Sequence, residues 1–262
     1  MEKWLIKTAW PMTPPLPYSL FHLAFAAIGI TAAALLAWRL RRLSHSRRVI
    51  LLFALGLVLA VAEGYKQLFL YYIIDARCYD WWYFPFQLCS VPMYLCLCLP
   101  WLSQKGQGTL CTFMYSYNLL GAFMVFVEPS GLMHPYWTLT LHSFLWHIIL
   151  IFIGLLIAFS GMCPRSGHSF AKATGLFLLC CLIATGINIL ASPYGNPDMF
   201  YITPYYPTTQ LIYARIAKTL GTIPGNIIYL LSIILGAWLL YLGYEKGGRC
   251  GDSQGAERRE GM

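Results

Sequence analysis

The segment FPFQLCSVPMYLCLCLPW, residues 84–101, places a thiol inside an apolar stretch that proline interrupts. Pro92 has no amide hydrogen, so it cannot donate to the carbonyl four residues earlier, and the Leu88 carbonyl beside Cys89 is left free. Irregular backbone at membrane depth is tolerated only where it lines a cavity. If the segment lies in a membrane, Cys89 is therefore predicted to face a polar cavity, as a candidate nucleophile.

A base must accompany that thiol, because a thiol in a dry pocket is inert until a neighbour removes its proton. His147 is the predicted base: at 1.5 Å per residue, it lies roughly 16 Å and Cys89 roughly 10 Å below the outer ends of their spans. Cys96 and Cys98 lie deeper and are predicted to pack. His142 precedes His147 by five residues, about 140° around the helix, so the spacing differs from that of a zinc-binding helix.

Further polar groups occupy the same outer half of their apolar runs. Glu63 and Lys66 in AVAEGYKQLF are three residues apart, so they share a helix face and can neutralise each other. Either they form a buried pair that fixes packing, or they orient a reactive centre. Gln87, Asn118 and Asn188 are candidate oxyanion donors. The pattern predicts one chamber open to the outer face, since a conduit needs polar positions on both sides of the midplane.

Composition places the chain in a membrane. Charged residues make up 11% of it, against roughly 25% in a soluble domain, and 58% is hydrophobic. The apolar runs are continuous, which excludes a β-barrel. The net charge of +8 requires no nucleic acid, because most basic residues fall in loops on one side. The nine cysteines include no CxxC pair, so no metal is expected.

The expected fold is an all-α bundle of seven transmembrane helices, residues 1–245, followed by a disordered cytoplasmic tail, residues 246–262. Pro85 stands where the third helix would begin, a position that tolerates proline. Inner segments carry twelve Lys and Arg and outer segments five, which places the N-terminus outside and the C-terminus in the cytoplasm. The predicted spans are residues 18–38, 49–74, 83–102, 109–127, 137–160, 170–191 and 223–243.

One connection is much longer than the others. Residues 192–222 link the last two spans and are rich in Tyr and Pro. Connections beyond about 15 residues are usually functional or disordered, and this one has too many aromatic residues for disorder. Two interpretations stay open: an aromatic belt at the membrane interface, or a cap over a cavity that opens outward.

Five segments in order, VAEGYKQLF, PFQLCSVP, GAFMVFVEP, LHSFLWHIIL and NILASPYGNP, resemble the signature segments of the YwaF family of integral membrane proteins. The resemblance covers about residues 60 to 200. It implies a seven-helix fold. In the eukaryotic branch of the family it also implies acyl transfer between glycerophospholipids, including ether phospholipids, through a cysteine thioester assisted by a histidine.

The resemblance also implies roles for particular residues. Cys89 and His147 match the cysteine and histidine of the eukaryotic branch, and Glu63 and Lys66 match its polar pair. His142 matches a second histidine of bacterial members. At Gln87 the chain departs from the bacterial pattern, which commonly has histidine.

The leading hypothesis is therefore a lipid acyltransferase or acyl hydrolase that uses Cys89 and His147 on phospholipid esters in the outer half of the bilayer. The alternative is a non-enzymatic membrane protein that binds a lipid or small ligand or translocates an ion, with a structural Glu63–Lys66 pair. An assembly subunit is a third possibility. Phospholipids are the expected partners, no cofactor is expected, and the expected location is the bacterial cytoplasmic membrane.

Overall fold

The computed structural model describes the backbone of residues 2–260 and the side chains of residues 2–247. This part of the chain is all-helical, as predicted. The predicted tail, residues 246–262, falls mostly outside the described side chains and stays a prediction. In chain order, helices α1 to α10 are Glu2–Ile6, Leu20–Leu40, His45–Phe69, Val91–Cys98, Gln104–Phe113, Leu119–Val127, Trp137–Phe159, Gly167–Ala191, Leu211–Leu220 and Thr222–Glu260.

Six helical segments among the described residues are long and apolar enough to cross a membrane, and they correspond to six of the seven predicted spans. Short helical turns extend some of the α-helices, and α5 and α6 form one continuous segment. The orientation derived from Lys and Arg stays a prediction. The six segments are Leu20–Leu40, His45–Ile74, Gln104–Val127, Trp137–Phe159, Gly167–Tyr194 and Thr222–Gly247.

The predicted third span, residues 83–102, is wrong as a membrane-length helix. Only Val91–Trp101 is helical, and residues 84–90 form bends and turns. Phe84 precedes Pro85 and is extended, with φ −53° and ψ 133°, because the proline ring disfavours helical backbone in the residue before it. Pro92, not Pro85, lies in the first helical turn, where a missing amide hydrogen costs no bond.

Close helix contacts fix the short α4 and the central α7 in the bundle. A Cβ atom at Gly56 of α3 would lie 2.9 Å from Cβ of Cys96, so only glycine lets α4 approach so closely. Gly154 of α7 meets Leu119 of α6 at the same hypothetical distance, 2.9 Å. Cys96 is buried, as predicted, whereas Cys98 is exposed on the outside of α4 rather than packed.

Two π-helical turns interrupt the long helices. Leu70–Ile74 extends α3, and Met114–Asn118 joins α5 to α6. A π-turn adds a residue to the turn and so changes which side chains share a face, and such turns are frequent at functional sites. The second π-turn ends at Asn118, one of the predicted site residues.

Candidate active site

A cavity of about 700 Å³ lies at one end of the bundle. Its walls are the last turns of α3 and α6, the first turns of α7 and α10, residues 84–90, and part of the connection between α8 and α9. Seven of the eight predicted site residues line it, and Asn188 does not. The seven are Glu63, Lys66, Gln87, Cys89, Asn118, His142 and His147.

Side-chain donors hold the irregular backbone around Cys89. Asn118 Nδ2 donates to the Leu88 carbonyl at 2.6 Å, which is the carbonyl that the sequence predicted to lack a helical partner. Trp146 Nε1 of α7 donates to the carbonyl of Cys89 at 3.0 Å. The π-turn that ends at Asn118 and helix α7 thus supply the hydrogen bonds that this segment cannot make to itself, and they fix the position of the thiol.

Cys89 and His147 face the same cavity from different elements. Cys89 is half-buried and lies two residues before the first residue of α4. His147 Nδ1 is 2.8 Å from the carbonyl oxygen of Ser143. A carbonyl only accepts, so Nδ1 carries the proton, and Nε2 of the neutral ring keeps its lone pair. The imidazole is therefore held in the tautomer that a general base needs.

The Glu63–Lys66 pair is formed and anchored. Lys66 Nζ lies 2.8 Å from Glu63 Oε1, and the Glu63 side chain is nearly fully buried. Gln67 Nε2 donates both to the same carboxylate oxygen, at 2.7 Å, and to the carbonyl of Tyr83, at 2.6 Å. The pair is thereby connected to the chain just before residues 84–90. Lys66 also lines the cavity, and its ammonium group has further hydrogens for a ligand.

His142 and three residues that the sequence did not single out complete the polar end of the cavity. His142 stacks on Trp146 with 5.4 Å between ring centroids, and it lines the cavity together with His147 despite their different directions on α7. His134 Nε2 lies 3.1 Å from Ser143 Oγ. Glu128 also lines the cavity. His134 and Glu128 belong to a short link between spans, EPSGLMHPYW, where no periodic pattern marks a residue as inward-facing.

The connection between α8 and α9 folds over the cavity, so the structure favours the cap over the interfacial belt. We call residues 198–203 the strap. Phe200 and Tyr201 line the cavity and have φ of 59° and 57°, a left-handed conformation that bulky residues rarely adopt. Such a conformation costs about 1–3 kcal/mol per residue and persists only where the surroundings enforce it.

Two side-chain amides enforce the strap conformation. Asn188 of α8 donates to the carbonyl of Met199 at 3.1 Å and accepts from its amide at 2.7 Å. Gln87 donates to the carbonyl of Asp198 at 2.9 Å and accepts from the amide of Phe200 at 2.8 Å. Both amides are engaged with the strap, so Asn188 and Gln87 act as positioning residues in this structure rather than as oxyanion donors.

Asp198 is the ionisable group of the strap. Its side chain is fully buried, and Oδ1 accepts from the amide of Thr203 at 2.9 Å. Oδ2 is buried without a hydrogen-bond partner among the described residues. Burial raises the pKa of Asp198 from the usual 3.8 to about 6, and the bond from Thr203 offsets only part of this shift.

Among the described residues, six membrane-length helical segments and a cavity at one end that contains ionisable side chains define a polytopic integral membrane protein with a candidate active site. The chain belongs to the TMEM164 family, a transmembrane family whose model matches residues 17–244. The matched region contains every predicted site residue. No curated protein and no solved structure matches the chain.

Proposed function

We propose that this protein is a membrane acyltransferase or acyl hydrolase that acts on phospholipid esters, with Cys89 as the nucleophile and His147 as its base. One observation carries the proposal. A thiol at the start of a helix and an imidazole with a free Nε2 lone pair line the same cavity. Nucleophilic catalysis by cysteine requires this combination of groups.

The reaction takes two steps. His147 Nε2 accepts the proton of Cys89, and the thiolate attacks the ester carbonyl of a phospholipid. The carbon–oxygen bond breaks, a thioester remains on Cys89, and the imidazolium returns the proton to the departing lysophospholipid oxygen. A second alcohol or water, deprotonated by His147, then attacks the thioester; the carbon–sulfur bond breaks, the acyl group leaves as a new ester or a free acid, and the imidazolium returns the proton to Cys89. Lys66 stabilises the developing oxyanion or binds the phosphate.

Two further observations support the proposal. Cys89 and His147 match the cysteine and histidine of the acyl-transferring branch that the YwaF resemblance implies. The distribution of Lys and Arg supports an orientation in which the cavity lies in the outer half of the membrane, and we propose the bacterial cytoplasmic membrane as its location.

Mutation of Cys89 in purified protein tests the proposal. The protein is reconstituted in phosphatidylcholine vesicles, and lysophospholipid and acyl-transfer products are measured by mass spectrometry. Cys89→Ala should abolish turnover and trapping by an acyl fluorophosphonate. Cys98→Ala is the matched control because this thiol lies on the exposed side of the adjoining helix. If Cys89→Ala turns over lipid at the rate of the parent, the proposed mechanism is wrong.

The anchored ion pair favours a second candidate, a non-enzymatic protein that binds a lipid or carries an ion. Glu63 is held by both Lys66 and Gln67, as a structural pair would be. Cys89→Ser distinguishes the two functions. Lipid binding or ion flux that persists in this variant, in a protein without lipid turnover, would favour the second candidate.

A further inference from the structure

The wall of the cavity is incomplete on one side. Met124 of α6 and Leu211, the first residue of α9, both line the cavity. Both residues are also more than half exposed, at 51% and 64%. A residue that lines a cavity and is also exposed lies at the mouth of that cavity, and Glu128 and Thr209 meet this criterion at a polar part of the rim. Met124 and Leu211 therefore mark a passage between the cavity and the region around the helices.

The contact between α6 and α10 defines the deep end of this opening. A Cβ atom at Gly236 of α10 would lie 2.9 Å from Leu120 Cδ2, so the two segments touch there. One turn away on each helix, Met124 and Ile233 line the cavity and do not close it. Helices α6 and α10 touch at Gly236, and the cavity lies between them one turn away. The gap between the two helices therefore begins one turn from this contact.

Helix α9 forms the other border of the opening. The Tyr213 hydroxyl lies 2.5 Å from Ser232 Oγ, and its ring is 4.9 Å from that of Tyr229, centroid to centroid. At the far end of α9, a Cβ atom at Gly225 would lie 2.6 Å from Cβ of Ala217. Helix α9 is therefore fixed along the first turns of α10, and Leu211 is held at the edge of the gap.

We propose that this opening, the side window, admits an acyl chain of a phospholipid from the bilayer into the chamber. The side window is bordered by Met124, Val125, Leu211 and Ile233. All four side chains are apolar, which suits an acyl chain and disfavours a charged or water-soluble donor. The inference rests on the proposed function insofar as that function makes a phospholipid the ligand.

The position of the side window explains how a lipid reaches the thiol. It lies between membrane-length helices, so a lipid can enter sideways without leaving the bilayer. The polar groups, including Lys66 and His134, belong to other walls of the cavity, formed by α3 and the link before α7. A phospholipid with an acyl chain in the window can therefore present its ester to Cys89 and its phosphate to Lys66.

Photocrosslinking tests the side window without any need for turnover. Cys89→Ala protein is reconstituted in vesicles of phosphatidylcholine that contain a phosphatidylcholine with a diazirine in one acyl chain. After illumination, adducts are mapped by mass spectrometry. Leu88 and Gly121 are the reporters, because they line the cavity and neither is among the exposed residues. We expect adducts on both.

A blocking variant identifies the route of entry. Ile233→Trp places an indole in the window, and adducts on the two reporters should fall roughly tenfold. Ile233→Phe is the milder variant if the indole prevents folding, which thermal unfolding reveals. Leu231→Trp is the matched control, since Leu231 is exposed on the same helix and does not line the cavity. This control should leave the adducts unchanged.

The outcomes separate the side window from the proposed function. Reporter adducts that are absent, or that persist undiminished in folded Ile233→Trp and Ile233→Phe, would overturn the side window. Adducts that both blocking variants reduce, in a protein whose parent shows no turnover, would support the window and contradict the enzyme. Equal loss in Leu231→Trp would also overturn it, because the effect would not be specific to the opening.

Discussion

Asn188→Ala separates a role in positioning the strap from a role in binding an oxyanion. Asn188 and Met199 are both fully buried, and the amide of Asn188 satisfies both the N–H and the carbonyl of Met199. The variant leaves these two backbone groups without partners. Each such loss costs about 1–3 kcal/mol. The strap should therefore lose about 3 kcal/mol of local stability, equivalent to roughly a hundredfold increase in its open population.

Hydrogen exchange measured by mass spectrometry reports this stability directly. Peptides that cover residues 198–203 are followed in reconstituted parent and variant protein. Exchange in the strap should accelerate by roughly two orders of magnitude in Asn188→Ala, while the amides of α8 keep their protection.

Thr185→Ala is the matched control for this experiment. Thr185 lies one turn earlier on α8, and its hydroxyl donates to the carbonyl of Cys181 in the same helix at 2.9 Å. The control should leave strap exchange unchanged. Unchanged strap exchange in Asn188→Ala, or an equal loss of protection along the whole of α8, would refute the assignment of Asn188 to the strap.

Three further predictions concern pH, charge and the irregular backbone. The raised pKa of Asp198 contributes stability to the strap that is full below pH 3.8 and is lost as pH rises through about 6. After correction for the intrinsic pH dependence of amide exchange, the protection of the strap should therefore fall from acidic to neutral pH in the parent and stay constant in Asp198→Asn. Lys66→Met leaves Glu63 buried without its counter-ion and should lower the free energy of unfolding by about 3–5 kcal/mol, as measured by thermal unfolding. The double variant Glu63→Gln, Lys66→Met should recover part of that stability. A double variant that is no more stable than Lys66→Met would contradict this prediction. Asn118→Ala removes the donor to the Leu88 carbonyl and should lower stability by about 1–3 kcal/mol, whereas an unchanged melting temperature would mean that the bond contributes nothing.

Apolar length and periodicity were sufficient to predict most of the bundle. Six predicted spans correspond to membrane-length helices, because twenty apolar residues in lipid must satisfy their own backbone. The length of an apolar run failed as a test for residues 83–102, because such a run shows that a segment is hydrophobic and does not show that its backbone is helical. Pro85 and Pro92 signalled the break, but the side chains that compensate for it come from the second π-turn and from α7, far away in sequence.

The candidate site was predictable in its residue types and less so in their roles. Buried ionisable groups such as Glu63 and Lys66 stand out in apolar sequence. The roles of Gln87 and Asn188 depend on the strap, and for Gln87 its partners are more than a hundred residues away. Nothing in the local pattern around either amide indicates these partners. The sequence therefore indicated which side chains are inside the bundle, and only the fold assigns their hydrogen bonds.

The attachment of the strap to Gln87 has a mechanical consequence. Gln87 is two residues before Cys89, on the same short stretch of irregular backbone. The strap that covers the cavity and the thiol inside it are therefore held by the same segment. A movement of the strap away from the cavity would also move Gln87 and the backbone that positions the Cys89 sulfur. Opening the cavity at the strap would therefore displace the Cys89 sulfur from its position for attack. A passage through the side avoids that displacement, because a lipid can come and go while strap and thiol stay in place.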